Sequence, residues 1–332
     1  MKRSATISLS LVLLALSFRP AAAGLLEECE GQAWPNVQLR ACTEIITNPA
    51  FAPDARATAY RSRGDIRISS GAFRQAIADF DKSIRLKPDS AAAFAGRARA
   101  KFSLRDFAGA LSDYNEAIRL SPASAVPYIE RAHVYLSMGK ADASVSDLTE
   151  AIRLDPKNAV AFNNRGLAYR KKGELDRAYQ DYSSAIAINP AYALAYANRG
   201  YLQSARGRRK AAVSDLQQAL FLDPSLIDAR DALRRLGGSR SITREIDRRI
   251  REGHKLASEK CSGCHAIGRQ GKSPNARAPE FRNLGRRHTL LSLRQPIARG
   301  VVAQHDKMPQ FQLSSYQVDT IVAYINSLSS AR

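Results

Sequence analysis

Apolar and polar positions between residues 57 and 226 repeat with a period of 34, giving five units: 57–90, 91–124, 125–158, 159–192 and 193–226. The fourth position of each is aromatic: Tyr60, Phe94, Tyr128, Phe162, Tyr196. The eighth is small (Gly64, Ala98, Ala132, Gly166, Gly200), and so is the twentieth (Ala76, Ala110, Ser144, Ala178, Ala212). The twenty-fourth is apolar or aromatic: Phe80, Tyr114, Leu148, Tyr182, Leu216. Proline holds the thirty-second: Pro88, Pro122, Pro156, Pro190, Pro224. The pattern predicts two antiparallel helices per unit. Small residues let them approach, large ones fill the space between neighbours, and proline stops the second helix. No unit buries its apolar face alone, so stacking makes the core.

The flanks read as caps. Residues 25–47 predict a degenerate helix pair, with Cys29 on one helix and Cys42 on the other. Leu226 to Leu236 predicts a capping helix with a polar outer side of Asp228, Arg230, Asp231, Arg234 and Arg235. Gly237-Gly238-Ser239 then marks a helix end and a short linker.

Beyond it the pattern changes. Ile242, Ile246, Ile250, Gly253 and Ala257 recur at helical spacing, widened by Leu256. The last segment predicts a helix capped by Ser314 with Gln317, and Leu313 with Val318 as a hydrophobic staple. Its apolar face is Val318, Ile321, Val322, Ile325 and Leu328. Gly253 lets a helix cross closely, and Tyr324 is the aromatic to pack over it.

The five units resemble the tetratricopeptide repeat, over about half the chain. Two further columns stand out. Position seven is always arginine (Arg63, Arg97, Arg131, Arg165, Arg199), and position twenty-three always aspartate (Asp79, Asp113, Asp147, Asp181, Asp215). Equal numbers of opposite charge favour an internal ladder over a basic stripe for an acidic ligand. The groove positions five, nine and twelve are mixed, with no repeated Lys/Asn pattern of the kind that grips a carboxylate terminus, so the groove's ligand stays unread.

Cys261-Ser262-Gly263-Cys264-His265 carries the chemistry. In C-x-x-C-H, two thiols add across the haem vinyl groups and the adjacent histidine meets the iron. A structural zinc site lacks its second ligand pair here, and a thioredoxin-like dithiol lacks its βαβ setting. Residues 242–330 resemble a class I cytochrome c. The resemblance implies one covalently bound haem c on Cys261 and Cys264, with His265 as proximal iron ligand. Met308, in Lys307-Met308-Pro309-Gln310-Phe311, matches the family's sixth ligand, and His305 is its rival. Gly253 stands eight residues before Cys261, the family's spacing for the glycine crossed by an aromatic of the last helix, here Tyr324. Pro279 fits the proline that orients the proximal ring, and Arg286 a propionate partner; Phe311 joins the pocket. His254 and His288 read as surface or outlying residues.

The N-terminus places this chemistry. Met1-Lys2-Arg3, an apolar stretch from Ala5 to Phe18 and Ala21-Ala22-Ala23 read as a signal peptide removed before Gly24. The apolar run is about 14 residues, short of the ~20 of a spanning helix. Of four cysteines, haem attachment leaves Cys29 and Cys42, which can close a disulfide in an oxidising compartment, for about 3 kcal/mol; two buried thiols are the other reading. The formal net charge is +20, and Gly237–Arg332 holds 17 Lys/Arg against 7 Asp/Glu. Near a redox centre a basic surface steers an acidic partner, or holds the protein at an anionic membrane surface. Nucleic acid is not expected for an exported haem protein.

The expectation is an all-α chain: signal peptide 1–23, N-terminal cap 24–56, five repeats 57–226, cap and linker 227–241, and cytochrome domain 242–332. It is an exported, periplasmic, soluble carrier of single electrons, docked to a protein or peptide by its repeats, and not an enzyme. An interaction scaffold whose haem senses redox state or a small ligand is the alternative; a peroxidase-like enzyme is a weaker third.

Overall fold

The computed structural model describes residues 24–31, 35–224, 226–238, 240–262, 267–268, 274 and 313–329. All regular elements among them are α-helices. The chain divides into two compact units, Met1–Pro122 and Ala123–Arg332.

The first unit holds α1 (residues 24–30), α2 (Pro35–Thr47), α3 (Pro53–Ser69), α4 (Phe73–Leu86), α5 (Ala91–Ser103) and α6 (Phe107–Leu120). The pairs α3/α4 and α5/α6 are the first two repeats. Cys29 of α1 and Cys42 of α2 are joined by a disulfide. They are buried with Ile45, Ile46 and Ala59, so the staple closes the free end of the first repeat.

The second unit holds three more pairs: α7 (Ala125–Ser137) with α8 (Ala141–Leu154), α9 (Ala159–Lys171) with α10 (Leu175–Ile188), and α11 (Ala193–Ala205) with α12 (Arg209–Leu222). Then come α13 (Ile227–Arg235), α14 (Arg240–Lys260) and α15 (Ser315–Ser329).

Local chemistry sets the helix ends. Ser90 and Asn158, each just before a first helix, accept the amides of Ala93 and Ala161 at 3.3 and 3.0 Å. Second helices stop at Leu86 and Leu154, two residues short of the repeat's proline. Between the two helices of each repeat, position fifteen takes a left-handed backbone. Gly71, Gly139, Gly173 and Gly207 fill it at φ 72–80°, but in the second repeat the residue is Arg105, at φ 65°.

Within a repeat, column eight packs on column twenty-four. A Cβ on Gly64 would stand 2.8 Å from Phe80 Cζ, one on Gly166 2.7 Å from Tyr182 Cε1, and one on Gly200 2.9 Å from Leu216 Cγ. The column-twenty-four side chains are all buried, each contributing about 2 kcal/mol of apolar burial.

The arginine and aspartate columns form the internal ladder. In every repeat Nε and Nη2 of the arginine donate to the two carboxylate oxygens at 2.6–2.9 Å. Each arginine also lies over its own repeat's column-four aromatic, 5.3–5.7 Å from the ring centre. That second duty of column four goes beyond the space-filling expected from its size. The arginines are therefore not a ligand stripe.

At the far end α13 buries Ala229, Ala232 and Leu233 against Leu216, Ala219 and Leu220 of α12. It ends as a Schellman motif. Gly237, at φ 62°, donates to the Arg234 carbonyl at 3.0 Å, and Gly238 to that of Leu233 at 2.9 Å.

Candidate functional site

The site begins on α14. Its exposed side is laced by ion pairs of Arg248 with Glu245 (2.7 Å) and Glu252 (2.6 Å), and of Arg249 with Glu245 (3.1 Å). Its inner side carries Ile250, Gly253 and the fully buried Ala257. The amide of Cys261 donates to the Ala257 carbonyl at 2.9 Å, so this half-buried cysteine continues the last helical turn.

The partner is α15. Its N-terminus is a capping box: the Ser314 amide donates to Gln317 Oε1 at 2.9 Å, and the Gln317 amide to Ser314 Oγ at 3.2 Å. Val318, Ile321, Val322, Tyr324, Ile325 and Leu328 are all buried. The two helices cross at Gly253, where an added Cβ would run into the Thr320 carbonyl and lie 2.9 Å from Tyr324 Cβ. Only glycine allows this backbone approach. The Tyr324 ring meets His254 edge-on at 4.9 Å, and its hydroxyl donates to the Ile267 carbonyl at 2.7 Å.

Two sequence-predicted residues, Cys261 and Tyr324, are thus placed on neighbouring elements. The Cys-x-x-Cys-His segment leaves α14 at Cys261, and the chain just beyond it is held at Ile267 by Tyr324. The described ends of that segment form a cradle held at Cys261 and Ile267, and the thiols and imidazole that the sequence supplies there fit a covalently attached haem. Cys264, His265, Pro279, Arg286, Met308 and Phe311 lie outside the described residues, as do His288 and His305. His254 is exposed, as expected of an outlying histidine.

Among the repeats, groove positions are tied across helices. Asn163 accepts from Asn198 at 2.9 Å, and Asp65 pairs with Arg99 at 2.8 Å. Burial raises the Asp65 carboxyl above its usual range, opposed by the nearby Arg99 and Arg61. Burial also lowers the His133 imidazole.

Sequence reasoning missed one feature. A cleft of about 590 Å³ opens between the last repeat and α14, lined by Tyr196, Gln217, Phe221, Glu245 and Arg249 among others. Arg249 lies over Phe221, 5.8 Å from its centroid, and Phe221 is 63% exposed. The signal was an apolar residue at position twenty-nine, where Arg85, Arg119 and Arg153 stand in the first three repeats.

Among the described residues no group of three or more His, Cys, Asp or Glu is placed to hold a metal ion, and no helix is long and apolar enough to cross a membrane.

Family models of the tetratricopeptide repeat match residues 55–125, 132–172, 159–192 and 193–226, and a cytochrome c model matches residues 250–329. Among solved structures, MamA is 25% identical, over 48% of this chain and 93% of its own, with a TM-score of 0.43. YrrB, described as a TPR protein with an unusual peptide-binding site, is 20% identical over 59% and 99%, with a TM-score of 0.44. The APC/C hetero-tetramer Cut9-Hcn1 is 19% identical over 66% and 42%, with a TM-score of 0.54, a likeness of fold. No curated protein matches the chain.

Proposed function

We propose that this chain, in which tetratricopeptide repeats over residues 55–226 are followed by a cytochrome c domain over 250–329, is an exported monohaem cytochrome that passes single electrons to or from a docked protein. The family matches support its coarser part: a cytochrome c domain implies covalently bound haem, and tetratricopeptide repeats a scaffold for binding peptide or protein.

The observation that carries the finer reading is the cradle. Gly253 brings α14 against α15, while Cys261 and Ile267 anchor the two ends of the attachment segment. In this reading Cys261 and Cys264 would hold the haem by thioether bonds, and His265 and Met308 would be the protein ligands of its iron. Bound there, the haem supplies reversible one-electron exchange at its iron. His265 follows Cys264 directly in the sequence, so a thioether at Cys264 would hold the neighbouring imidazole near the iron. Met308 would be the second protein ligand, and its thioether would keep small ligands from the iron. Pro279, Arg286 and Phe311 would complete the pocket with Tyr324. With His265 and Met308 both bound to the iron, no position would be left open for substrate, so this reading assigns electron exchange and not substrate chemistry to the site. One C-x-x-C-H in the sequence supports a single haem.

Export is supported by the Met1–Ala23 pattern and by the Cys29–Cys42 disulfide, at home in an oxidising periplasm. The basic C-terminal third favours an acidic redox partner, with an anionic membrane surface as a second contact. The repeat array raises the effective concentration of haem at its bound partner.

Carbon monoxide tests the reading. The reduced wild-type protein is expected to bind none, and Met308→Ala is expected to bind it and to change in spectrum and potential. Fast binding by the wild type would favour the sensing scaffold, and an unchanged Met308→Ala spectrum would remove Met308 as a ligand.

A further inference from the structure

Helix α14 belongs to two structures at once. Its middle docks on the last repeat, and its end carries Cys261. Ile250 packs against the cluster of Leu216, Leu220 and Leu233. Asp247 pairs with Arg230 of α13 at 3.3 Å, and Arg230 also donates to the Pro224 carbonyl at 2.8 Å. Arg249 lies over Phe221 of α12. From Ile250 to Lys260, the residue before Cys261, the helix runs without a break for about 15 Å, at 1.5 Å per residue. The preceding turn is held as well, since Arg209 Nε donates to the Leu236 carbonyl at 2.7 Å.

The repeat pattern explains why an arginine sits here. Between neighbouring repeats, the ladder arginine spends its third nitrogen, Nη1, on position twenty-five of the repeat before it. Arg97 reaches Asp81 at 2.7 Å, Arg165 reaches Thr149 at 3.3 Å, and Arg199 reaches Ser183 at 3.1 Å. Position twenty-five of the last repeat is Gln217, and no sixth repeat follows it. Gln217 lines the cleft together with Arg249. An arginine from α14 therefore lines the same face that the first, third and fourth repeats offer to their successors' arginines.

We infer that Phe221, Arg230, Asp247 and Arg249 are positioning residues that lock the haem-bearing helix onto the last repeat, so that the haem is presented at a fixed place relative to a cargo bound by the array. This rests on the proposed haem reading and adds to it a rigid joint where the sequence suggests a tether. A fixed joint sets one donor–acceptor geometry, whereas a tether samples many.

The test uses the full-length haem-loaded chain. With the native cysteines held in the disulfide and the haem, Leu194→Cys, at a site 47% exposed on α11, takes a single nitroxide. Pulsed electron paramagnetic resonance reads its distance distribution to the oxidised iron. The parent is expected to give one narrow distribution. Phe221→Ala with Arg249→Ala is expected to broaden it at least twofold while the haem spectrum and potential stay unchanged; Arg249→Lys is expected to keep it narrow. A broad parent distribution, or no change in the double variant, overturns the joint. If that variant misfolds by circular dichroism, Asp247→Asn replaces it with the same expectation. If no low-spin haem signal appears, the proposed function fails separately, and the joint is read between nitroxides at Leu194→Cys and Lys255→Cys in a chain that also carries Cys261→Ser and Cys264→Ser.

Discussion

Arg165→Leu is the sharpest probe of what holds a repeat together. Asp181 is 5% exposed, and both its oxygens accept from Arg165, at 2.8 and 2.9 Å. Leucine keeps most of the apolar stem but leaves the carboxylate without its cation. Orphaning one member of a buried pair costs about 3–5 kcal/mol. The Arg165 side chain is 18% exposed, so water reaches the gap and the lower end applies. Its stacking on Phe162, at 5.6 Å, adds about 0.5 kcal/mol. The expected loss is about 3 kcal/mol, read from urea unfolding of the full chain by helical circular dichroism. Arg165→Leu with Asp181→Leu removes both charges and is expected to recover most of that loss, within about 1 kcal/mol of wild type. The exposed Arg153–Glu150 pair is the control, and Arg153→Ala is expected to shift nothing measurable. If Arg165→Leu cost under about 1 kcal/mol, or if the double variant were worse than the single, the buried charge would not be what makes the rung matter.

Other expectations follow from single contacts. Gly253→Ala forces a methyl into the Thr320 carbonyl, and a loss of about 3 kcal/mol from the cytochrome domain is expected, seen as a lower thermal midpoint of the haem absorbance. Arg105→Gly relieves a left-handed residue at φ 65°. Relief of about 1–2 kcal/mol, less the extra chain entropy of glycine and the lost contact with Phe107, leaves about 0.5 kcal/mol of stabilisation in urea, while Gly173→Ala at φ 80° destabilises. Burial pushes the phenols of Tyr182 and Tyr201 up to about 12. The folded state then keeps protons that the unfolded chain releases near pH 10, so stability is full below about pH 10 and falls as pH rises towards 12. Tyr182→Phe is expected to flatten that fall in a pH series of thermal midpoints, and a curve unchanged by the substitution counts against it.

The array was legible because its period repeats five times with the same residue types in the same columns. The ladder was legible for the same reason, since Arg and Asp never vary in columns seven and twenty-three. Column fifteen escaped because Arg105 takes a backbone otherwise held there by glycine. Column twenty-five escaped because Asp81, Thr149 and Ser183 share only the ability to accept a hydrogen bond. In the cytochrome domain, Gly253 and Tyr324 could be paired in advance because Gly253 interrupts its helix's apolar stripe and because its eight-residue interval to Cys261 matches the spacing that the resemblance to class I cytochromes c implies. The grip of Tyr324 on Ile267 could not, since it joins a side chain to a backbone carbonyl 57 residues away, with no residue-type signature. The joint at Phe221 and Arg249 was hidden for a similar reason. Each residue is unremarkable alone, and only the fold brings the two segments together.

Both members of every ladder rung come from one 34-residue unit, and only the third arginine nitrogen reaches back to a neighbour. A repeat can therefore be gained or lost as a whole without stranding a ladder carboxylate, because the cut severs contacts to the partly exposed Asp81, or to Thr149 or Ser183, that water replaces cheaply. The array is modular in its electrostatics as well as in its shape, so its length can change by whole repeats while the cap and the α14 junction are kept.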